Sequence, residues 1–441
     1  MLRASETNLE SNVDAPTVGE RTVLSFVFVM TLAVLIAVVS MFQGRELEQD
    51  APQYLIIARN LIEGKGYRNT FGPWGDAPAC DRMPVWPITL AGVLLIKPSM
   101  LSDEMAVRVA GSICLALVGV CFARISGQVG VKSRLLRILA GLAVGLSPPL
   151  VFIAVSGMSE ISFLLLVAIG LSCLLDGKRW GYVGAISLGL AALVRTNFAV
   201  FPILFGLAML CRPAGKQSVT GRYSWSSLTV FFVLSMMPIS LWTVRNYFVT
   251  GVFPLLSTIE GETLWGSNNP VAAHDLQAWG SWTMPDGITG ETKKSVLIVG
   301  RTEMETGKYY HDKAVAWISS NWREMPRLLL GKLVRAFVPI PWVPLAPSFI
   351  AFGYRFVLDV LVIVTIPWWW RAIDRFYLYF VAAMLGSLLM TTLVYYGNYR
   401  FTHCMFEVFF VPCIVLGLQQ WLEFKRERRE EVVRKASLIA G

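Results

Sequence analysis

An aspartate at position 50 stands at the boundary between two kinds of sequence. It follows an apolar stretch and directly precedes APQYLIIARNLIEG, whose apolar residues recur at helical spacing. A carboxylate fixed at such a boundary could act as a general base, because it can accept the proton of a bound hydroxyl group. Asp50 could equally be a helix N-cap, with Gln53 completing a capping box. The two interpretations are compatible, since a cap would also fix the position of the carboxylate.

A second acidic residue is followed at once by an arginine in the sequence CDRMPVWP. Arg82 could bind a phosphate group through charge-assisted hydrogen bonds, and Asp81 could assist the chemistry beside it. The ordinary interpretation is a solvated pair that anchors the start of the next apolar segment. Asp76 is a weaker candidate in the same stretch.

Three more charged residues stand at the ends of apolar segments: Glu160 in SGMSE, Arg195 in LVRTNF and Arg400 in YYGNYRFTHC. Charges beside an apolar layer are costly and usually face a protein interior or a wet cavity. All three fall on one side of the topology derived below, which indicates a shared polar cavity. Alternatively, each arginine extends to lipid headgroups. Arg245 ends another apolar segment on that side, and His403 could reach the same phosphate or have only a loop role.

The rest of the sequence excludes several common chemistries. Its three histidines match no metal-binding spacing, and its seven cysteines form no CxxC pair. It contains no P-loop, GxGxxG or GxSxG motif, so neither a nucleotide site nor a nucleophile elbow is indicated. The net charge of +9 does not imply a nucleic-acid partner, because many of the basic residues flank apolar segments.

These residues are positioned by a chain rich in apolar segments. Of its 441 residues 55% are hydrophobic and only 16% are charged, and the mean hydropathy is +0.55. The apolar residues come in continuous blocks of about 20, with which a helix crosses a ~30 Å hydrocarbon layer. We therefore expect an all-α polytopic membrane protein with about ten transmembrane helices, at residues 22–42, 105–125, 134–155, 159–175, 180–194, 197–212, 226–245, 350–369, 376–396 and 404–422.

The orientation follows from the basic residues in the short connections, which favour the cytoplasmic side. Five basic groups fall on one side if there are ten spans and both termini are inside: 124–137, 178–179, 212–222, 371–375 and the tail from Lys425. The expected organisation is then a cytoplasmic segment 1–21, a transmembrane module 22–245 with an outer loop 43–104, an extracytoplasmic subdomain 246–349, transmembrane helices 350–422 and a basic cytoplasmic tail 423–441.

The two outer loops contain further helical patterns. Residues 51–64 and 303–320 each place apolar residues on one helix face. The apolar stretch 85–96 is too short to span a membrane, so we expect it to lie in the interface or to form a re-entrant segment. Residues 327–338 combine apolar with basic residues, which is typical of another interfacial helix.

The order of these features resembles the GT-C superfamily of membrane glycosyltransferases. The bacterial branch similar to protein mannosyltransferases and to the aminoarabinose transferase of lipid A is the nearest in pattern. Its helix motif D-x-x-x-Y-x-x-x-A-x-x-L-x-x-G reads here Asp50, Tyr54, Ala58, Leu61 and Gly64. Other elements similar to that branch are 81–84 (with arginine and methionine where lysine and proline are common), 156–160, 191–195, 245–251, and Gly266 with 268–270. The resemblance covers roughly residues 20–425.

The resemblance implies an inverting glycosyltransferase with a polyprenyl-phosphate sugar as donor and a hydroxyl group of a lipid, glycan or protein as acceptor. Asp50 and Asp81 would be the catalytic residues. The donor phosphate and substrate would be bound by Tyr54, Arg82, Glu160, Arg195, Arg245, Arg400 and His403. The lipid bilayer is the other partner, and nucleic acid is not one. No cofactor is required by the resemblance, although a divalent cation is left open. The site would face outward from the plasma (inner) membrane.

Three other functions fit some of the same features. A transporter or flippase for a lipid-linked sugar would need polar residues through the depth of the membrane, whereas the ionisable residues here gather on one side. A ligase or polymerase that uses a diphosphate-linked glycan would share the cavity and the arginines, so substrate assays must separate it from the transferase. A structural scaffold would not need buried arginines.

Overall fold

The computed structural model of the chain describes residues 17–70, 77–210, 225–251, 253, 256–285, 288, 302–338 and 346–440. Within these ranges the chain is helical and forms no β-sheet, and an isolated bridge joins Arg68 to Pro78. The all-α fold expected from the sequence is therefore confirmed. Asp76, the basic residues 212–222 and the segment 1–16 lie outside the described residues.

The helices follow one another along the chain, and several begin with a serine or threonine cap. Thr17, Ser102 and Ser133 each accept a hydrogen bond from the backbone N–H three residues later. In chain order the helices are α1 (Val18–Ser40), α2 (Ala51–Ile62), α3 (Val85–Ile96), α4 (Asp103–Gln128), α5 (Arg134–Gly145), α6 (Pro148–Val155), α7 (Glu160–Leu175), α8 (Lys178–Ala192), α9 (Phe201–Leu210), α10 (Trp225–Thr250), α11 (Glu260–Ser267), α12 (Pro270–His274), α13 (Glu303–Ser320), α14 (Met325–Phe337), α15 (Ala346–Trp369), α16 (Arg375–Val394), α17 (Tyr399–Met405) and α18 (Val411–Ala440).

Six stretches are long and apolar enough to cross a membrane. They are α1, α4, α10, most of α15, α16, and the continuous stretch Tyr399–Leu438 that contains α17 and α18. The pair α5 and α6 also qualifies when taken together, although the two helices meet at 48°. The bend falls at Pro148 and Pro149, because proline lacks the N–H that would continue the preceding helix. The described residues thus contain six membrane-compatible helices, or seven with this pair.

Three of the ten expected spans form shorter helices. α7 has 16 residues, α8 has 15 and α9 has 10. At about 1.5 Å per residue they are roughly 24, 22 and 15 Å long, whereas a full crossing takes about 20 residues. Helix length and composition therefore support a multi-pass membrane protein without confirming ten spans.

Helix α4 lies at the centre of the first half of the chain and packs against α1, α3, α5, α6 and α7. Small residues permit close approach between these helices. A Cβ atom on Gly119 of α4 would lie only 2.9 Å from the backbone oxygen of Gly141 in α5. One continuous hydrophobic core joins these helices to α16 and α18, so the bundle can hold its helix ends in fixed relative positions.

One end of the bundle carries basic residues that pair across helices. Arg124 on α4 contacts Asp176, after α7, at 2.6 Å, and Arg137 on α5 contacts a glutamate in the first turn of α1 at 3.2 Å. The backbone N–H of Lys132 donates to the side chain of Gln419 on α18 at 2.7 Å. We call this the basic end, and α1, α8 and α16 run from it to the opposite end.

The helices expected in the two outer loops form with small differences in length. The patterns at 85–96 and 303–320 become α3 and α13 with the expected bounds. The pattern at 51–64 becomes α2, which ends two residues earlier, and the pattern at 327–338 becomes α14, which begins at Met325. These helices surround the end of the bundle opposite the basic end.

Candidate functional site

A polar cavity of about 770 Å³ lies at the end of the bundle opposite the basic end. Its walls come from segments far apart in the sequence: the start of α2, the chain before α3, the turn after α8, the start of α11, and the chain between α16 and α17. The residues that line it include Gln49, Asp50, Gln53, Tyr54, Asp81, Arg82, Arg195, Asn197, Glu260, Glu262, Trp282, Tyr395, Tyr396 and Arg400. Six residues selected from the sequence are thus brought together here.

The chain ahead of Asp50 is held in place by a buried arginine. Arg108 on α4 is 3% exposed and donates to the backbone oxygens of Arg45 at 3.1 Å and Glu46 at 2.8 Å. Gln49 then adopts a φ of 59°, which is uncommon for a residue with a side chain. These constraints fix the point at which the chain turns into α2.

Asp50 does not cap α2 as the capping-box interpretation expects. Its side chain makes no capping hydrogen bond, and its backbone is helical instead of extended. It accepts a hydrogen bond from Nη2 of Arg82 at 3.1 Å. Gln53 accepts from Nε of Arg82 at 2.8 Å and from Asn69 at 3.1 Å. The capping-box interpretation is wrong, because both side chains turn toward Arg82 and away from the helix N–H groups.

Asp81 is more deeply buried than Asp50, with its side chain 8% exposed against 38%. Its Oδ2 accepts a hydrogen bond from Asn69 at 2.8 Å and lies 3.8 Å from Nε of Arg82. Its Oδ1 is buried and accepts no hydrogen bond from any described residue. A buried carboxylate oxygen without a partner is costly, so a polar group of a ligand or a water molecule is expected there.

Arg82 connects the two carboxylates and stays charged. Burial disfavours its charged form, but the negative charges of Asp50 and Asp81 outweigh that effect and raise its pKa. The guanidinium group is therefore a fixed cation at the wall of the cavity.

Glu160, the first residue of α7, joins the two other arginines of the cavity. It is 1% exposed, forms an ion pair with Arg195, and lies 3.4 Å from Nη1 of Arg400. Arg400 also donates to Gln49 at 2.9 Å. The two arginine side chains are only 16% and 19% exposed and turn inward to Glu160, so they do not extend toward headgroups. Nε of Arg195 has no hydrogen-bond partner among the described residues, which leaves one donor beside the cavity.

Tyr54 adds a neutral hydrogen-bonding group to the same wall. Its hydroxyl lies 3.3 Å from Oγ of Ser159. Burial, followed by the charge of Asp50, raises the pKa of Tyr54 to about 12. The hydroxyl therefore keeps its proton at neutral pH and can donate it in a hydrogen bond to a ligand.

Arg245 and His403 do not line the cavity, although both are candidates from the sequence. Nη1 of Arg245 donates to the backbone oxygen of Ala79 at 2.7 Å. The two ring nitrogens of His403 lie 2.8 Å from Oγ of Ser147 and 2.9 Å from Glu407. The structure does not bring either side chain to the cavity, because each is bound to other protein groups.

Charges of both signs surround the cavity, with three arginines and five carboxylates among the described residues. Burial raises the pKa of Glu260 above its usual value. Among the described residues, no group of three His, Cys, Asp or Glu side chains could hold a metal ion. The charged residues concerned are Arg82, Arg195 and Arg400 on one side and Asp50, Asp81, Glu160, Glu260 and Glu262 on the other.

Sequence reasoning missed the uncharged residues that orient these groups. Gln53 and Asn69 hold Arg82 and Asp81, and Gln49 holds Arg400. Gln49 and Asn69 belong to no recognisable motif, and the contact of Gln49 joins residues from opposite ends of the chain. Gln53 was selected from the sequence as part of a capping box, not as a partner of Arg82.

The fold and the cavity define an all-helical protein with several membrane-compatible helices and a charged pocket at one end. No family model, curated protein or solved structure matches the chain. The function proposed below therefore rests on the geometry of the cavity and on the sequence motifs.

Proposed function

We propose that the chain is an inverting glycosyltransferase of the GT-C type that moves a sugar from a polyprenyl phosphate to an acceptor hydroxyl group. The observation that carries this proposal is that one cavity gathers two carboxylates, Asp50 and Asp81, with three arginines, Arg82, Arg195 and Arg400. Carboxylates can take the proton of an attacking hydroxyl group, and arginines can bind a phosphate. Such a donor is already activated, in agreement with a sequence without nucleotide-binding motifs.

The proposal includes ten membrane crossings with both termini in the cytoplasm. Glu20 in the first turn of α1 and Gln419 in α18 both contact the connection around α5 at the basic end. A chain whose first helix begins and whose last helix ends at the same side crosses an even number of times, which fits ten spans, as it fits six, but does not fit seven. The three short helices α7, α8 and α9 would supply the remaining crossings. The basic end would then face the cytoplasm and the cavity would face outward from the plasma (inner) membrane.

In the proposed reaction the acceptor oxygen forms a bond to the anomeric carbon of the donor. The bond between that carbon and the phosphate oxygen breaks, and the phosphate oxygen keeps the electron pair. The proton of the acceptor hydroxyl passes to the general base. A single displacement of this kind inverts the configuration at the anomeric carbon and releases polyprenyl phosphate.

Asp50 is the better candidate for the general base. Its side chain is 38% exposed at the cavity, whereas that of Asp81 is 8% exposed. Arg82 contacts its Oδ1, so the other oxygen can face an acceptor hydroxyl. Asp81, held by Asn69, would orient the sugar with its unpaired oxygen.

Arg195 and Arg400 would bind the leaving phosphate. Glu160 keeps the two guanidinium groups together, and the unpaired Nε of Arg195 offers a first contact. As the bond to the sugar breaks, negative charge grows on the phosphate. In a cavity drier than bulk water, fixed cations stabilise that charge more strongly than they stabilise the intact donor.

The isoprenoid chain of the donor would leave the cavity along apolar surface. Met284 lines the cavity and is 64% exposed. On α3, Ile88 and Leu95 are 54% and 71% exposed, as expected for a helix in contact with lipid.

A flippase would require ionisable residues deeper in the membrane, and one network bears on this alternative. Arg355 on α15 is fully buried and bonds Glu407 at 2.8 Å, and Glu407 lies 2.9 Å from His403. These residues fall within membrane-compatible stretches, where ionisable groups usually have a function. They are paired with one another and do not line the cavity, so a structural role accounts for them better than a transport path.

Mass spectrometry of the reaction products tests the proposal. Purified protein would be incubated with a polyprenyl-phosphate sugar and a membrane extract. We expect one acceptor to gain the mass of one sugar residue while free polyprenyl phosphate accumulates. Conversion of a diphosphate-linked glycan alone would favour the ligase instead.

A further inference from the structure

The segment 79–82 carries Asp81 and Arg82 but belongs to no helix or strand. Its position therefore depends on bonds to other parts of the chain. All four backbone oxygens of the segment accept a hydrogen bond. The oxygen of Ala79 accepts from Arg245 at 2.7 Å, and the oxygen of Cys80 accepts from the N–H of Thr258 at 3.3 Å. The oxygen of Asp81 accepts from Ser257 at 3.0 Å, and the oxygen of Arg82 accepts from Tyr67 at 2.9 Å.

Glu303 adds a contact from the second outer loop. Its carboxylate accepts a hydrogen bond from the N–H of Cys80 at 3.2 Å and another from the hydroxyl of Thr258. Thr302 and Glu305 form the capping box of α13, so Glu303 is not needed to start that helix. One partly buried carboxylate thus joins Cys80, beside the cavity, to α13 and Thr258.

We propose that Glu303 is a positioning residue of the site, which holds Cys80 so that the adjacent Asp81 and Arg82 face the cavity. The role in catalysis rests on the proposed function, but the role in holding the segment does not. Glu303 does not line the cavity, so it would act through the backbone of 79–82 and not by touching a substrate. The second outer loop would thereby determine the geometry of charges that the first loop supplies.

The surroundings of Glu303 make this contact depend on pH. Burial, followed by the charge of Asp81, raises the pKa of Glu303 from 4.5 to about 7. The other titratable groups that face it are Arg245 and the thiol of Cys80. Because the pKa of Glu303 is higher in the folded than in the unfolded state, the stabilisation that Glu303 gives to the folded state is complete below pH 4.5. That stabilisation is lost as the pH rises through 7. Glu303 should therefore hold the segment more firmly at pH 6 than at pH 8.

The thiol of Cys80 reports on this contact, because it is fully buried beneath it. We would measure its labelling by N-ethylmaleimide in the purified full-length protein by peptide mass spectrometry. Glu303→Ala should speed labelling about tenfold at pH 6.5, since the segment opens more often. Glu303→Gln should stay within about twofold of the native rate, because its amide oxygen can accept the same bonds. Asp312→Asn, which neutralises an exposed carboxylate on the same helix, is the matched control.

The ratio of the native labelling rate to that of Glu303→Gln gives a second readout. It should rise by severalfold between pH 6 and 8 with a midpoint near 7, because only the native carboxyl group ionises. The pH dependence of the reactivity of the Cys80 thiol cancels in this ratio, because both proteins carry the same thiol. A native labelling rate in the Ala variant, or a ratio that stays flat with pH, would overturn the positioning role.

Activity separates this inference from the proposed function. Glu303→Ala should lower kcat for transfer about tenfold with little change in KM for the donor, because Asp81 and Arg82 are still present but are less well aligned. If the native protein transfers no sugar, the proposed function fails while the labelling still decides the role of Glu303. If transfer is normal in the Ala variant, Glu303 does not position the catalytic segment.

Discussion

At the scale of single residues, the proposed chemistry depends on how Asp50 and Arg82 face each other at the edge of the cavity. The carboxylate and guanidinium groups lie 3.1 Å apart, and neither is used to start a helix. A substitution at position 50 can therefore change proton transfer without removing a helix cap. This separation makes the side chain a direct probe of general base catalysis.

Replacing Asp50 with asparagine should reduce turnover and spare the fold. Asparagine keeps an oxygen for Arg82 but cannot accept a proton as a carboxylate does. We expect kcat to fall about 10²–10⁴-fold and the melting temperature to change little, because a partly exposed ion pair contributes only about 0–1 kcal/mol. Both would be measured on one preparation, with Glu48→Gln, an exposed carboxylate just ahead, as control. Normal turnover in Asp50→Asn would show that Asp50 is not the general base and would make Asp81 the next candidate.

Arg400→Ala should weaken the use of the donor more than it weakens folding. It would remove the proposed phosphate contact, which is worth about 1.5–3 kcal/mol, while Glu160 keeps its ion pair with Arg195. We expect KM for the donor to rise at least about tenfold, measured in steady-state kinetics, with a melting temperature close to native. Arg45→Ala, an exposed arginine in the first outer loop, is the control. An unchanged KM would show that Arg400 does not bind the phosphate.

The sequence selected the charged residues of the cavity better than the partners that orient them. Charge at the end of an apolar segment is visible in a sequence, and this signal selected Arg195 and Arg400. The sequence also selected Arg245 and His403, which do not line the cavity. Arg245 contacts Ala79 and His403 contacts Glu407, and these contacts depend on packing that a sequence does not show. The contacts made by Asn69 could not be predicted, since they form across an irregular loop.

At the scale of helices, α14 fixes the end of α16 that leads into the cavity wall. Lys332 on α14 is fully buried and donates to the side chain of Asn268 at 2.8 Å and to the backbone oxygen of Leu393 at 3.0 Å. Burial lowers the pKa of this lysine to about 7. Tyr395 and Tyr396, which line the cavity, follow directly after the helix end that Lys332 holds.

Lys332 should make the stability of the protein depend on pH above neutrality. Its folded pKa of about 7 lies below the unfolded value of 10.5, so the unfolded chain binds more protons between these values and stability rises with pH. Between pH 7 and 9.5 the gain should be about 3 kcal/mol. Melting temperatures in detergent at both pH values should show this rise in native protein and in Lys308→Met, an exposed control. If the melting temperature of Lys332→Met rose by the same amount, other groups and not Lys332 would cause the pH dependence.

Hydropathy predicted most helices to within a few residues, because an apolar block of fixed length has few alternatives in lipid. It treated 134–155 as one span, although Pro148 and Pro149 mark the break between α5 and α6. The short helices α11 and α12 were not predicted either. Their sequences are neither strongly apolar nor long enough to show a periodic pattern.

At the scale of the whole molecule, the bundle has two chemically different ends. The basic end joins α1, α4, α5 and α18, and the other end holds the cavity and both outer loops. The proposed orientation assigns these ends to the cytoplasm and the outside of the membrane. The side on which each end lies can be measured in intact cells.

Single cysteines should react with a membrane-impermeant reagent according to this orientation. Lys65→Cys and Asp312→Cys place exposed thiols in the two outer loops, and Arg428→Cys places one in the C-terminal tail. We expect the first two to be labelled in intact cells and the third only after the membrane is opened. Labelling of the tail in intact cells would place the basic end outside and would contradict the proposed orientation.

The central claim is the transfer of a sugar from a polyprenyl monophosphate, and release of the lipid phosphate tests it most directly. Purified native protein would be given a labelled monophosphate donor or the matching diphosphate donor, each with acceptor, and the free lipid phosphate would be counted against sugar transferred. The proposed reaction predicts one polyprenyl phosphate released per sugar from the monophosphate donor, and at least about 100-fold less with Asp50→Asn. Release from the diphosphate donor alone, or donor binding without release, would contradict it.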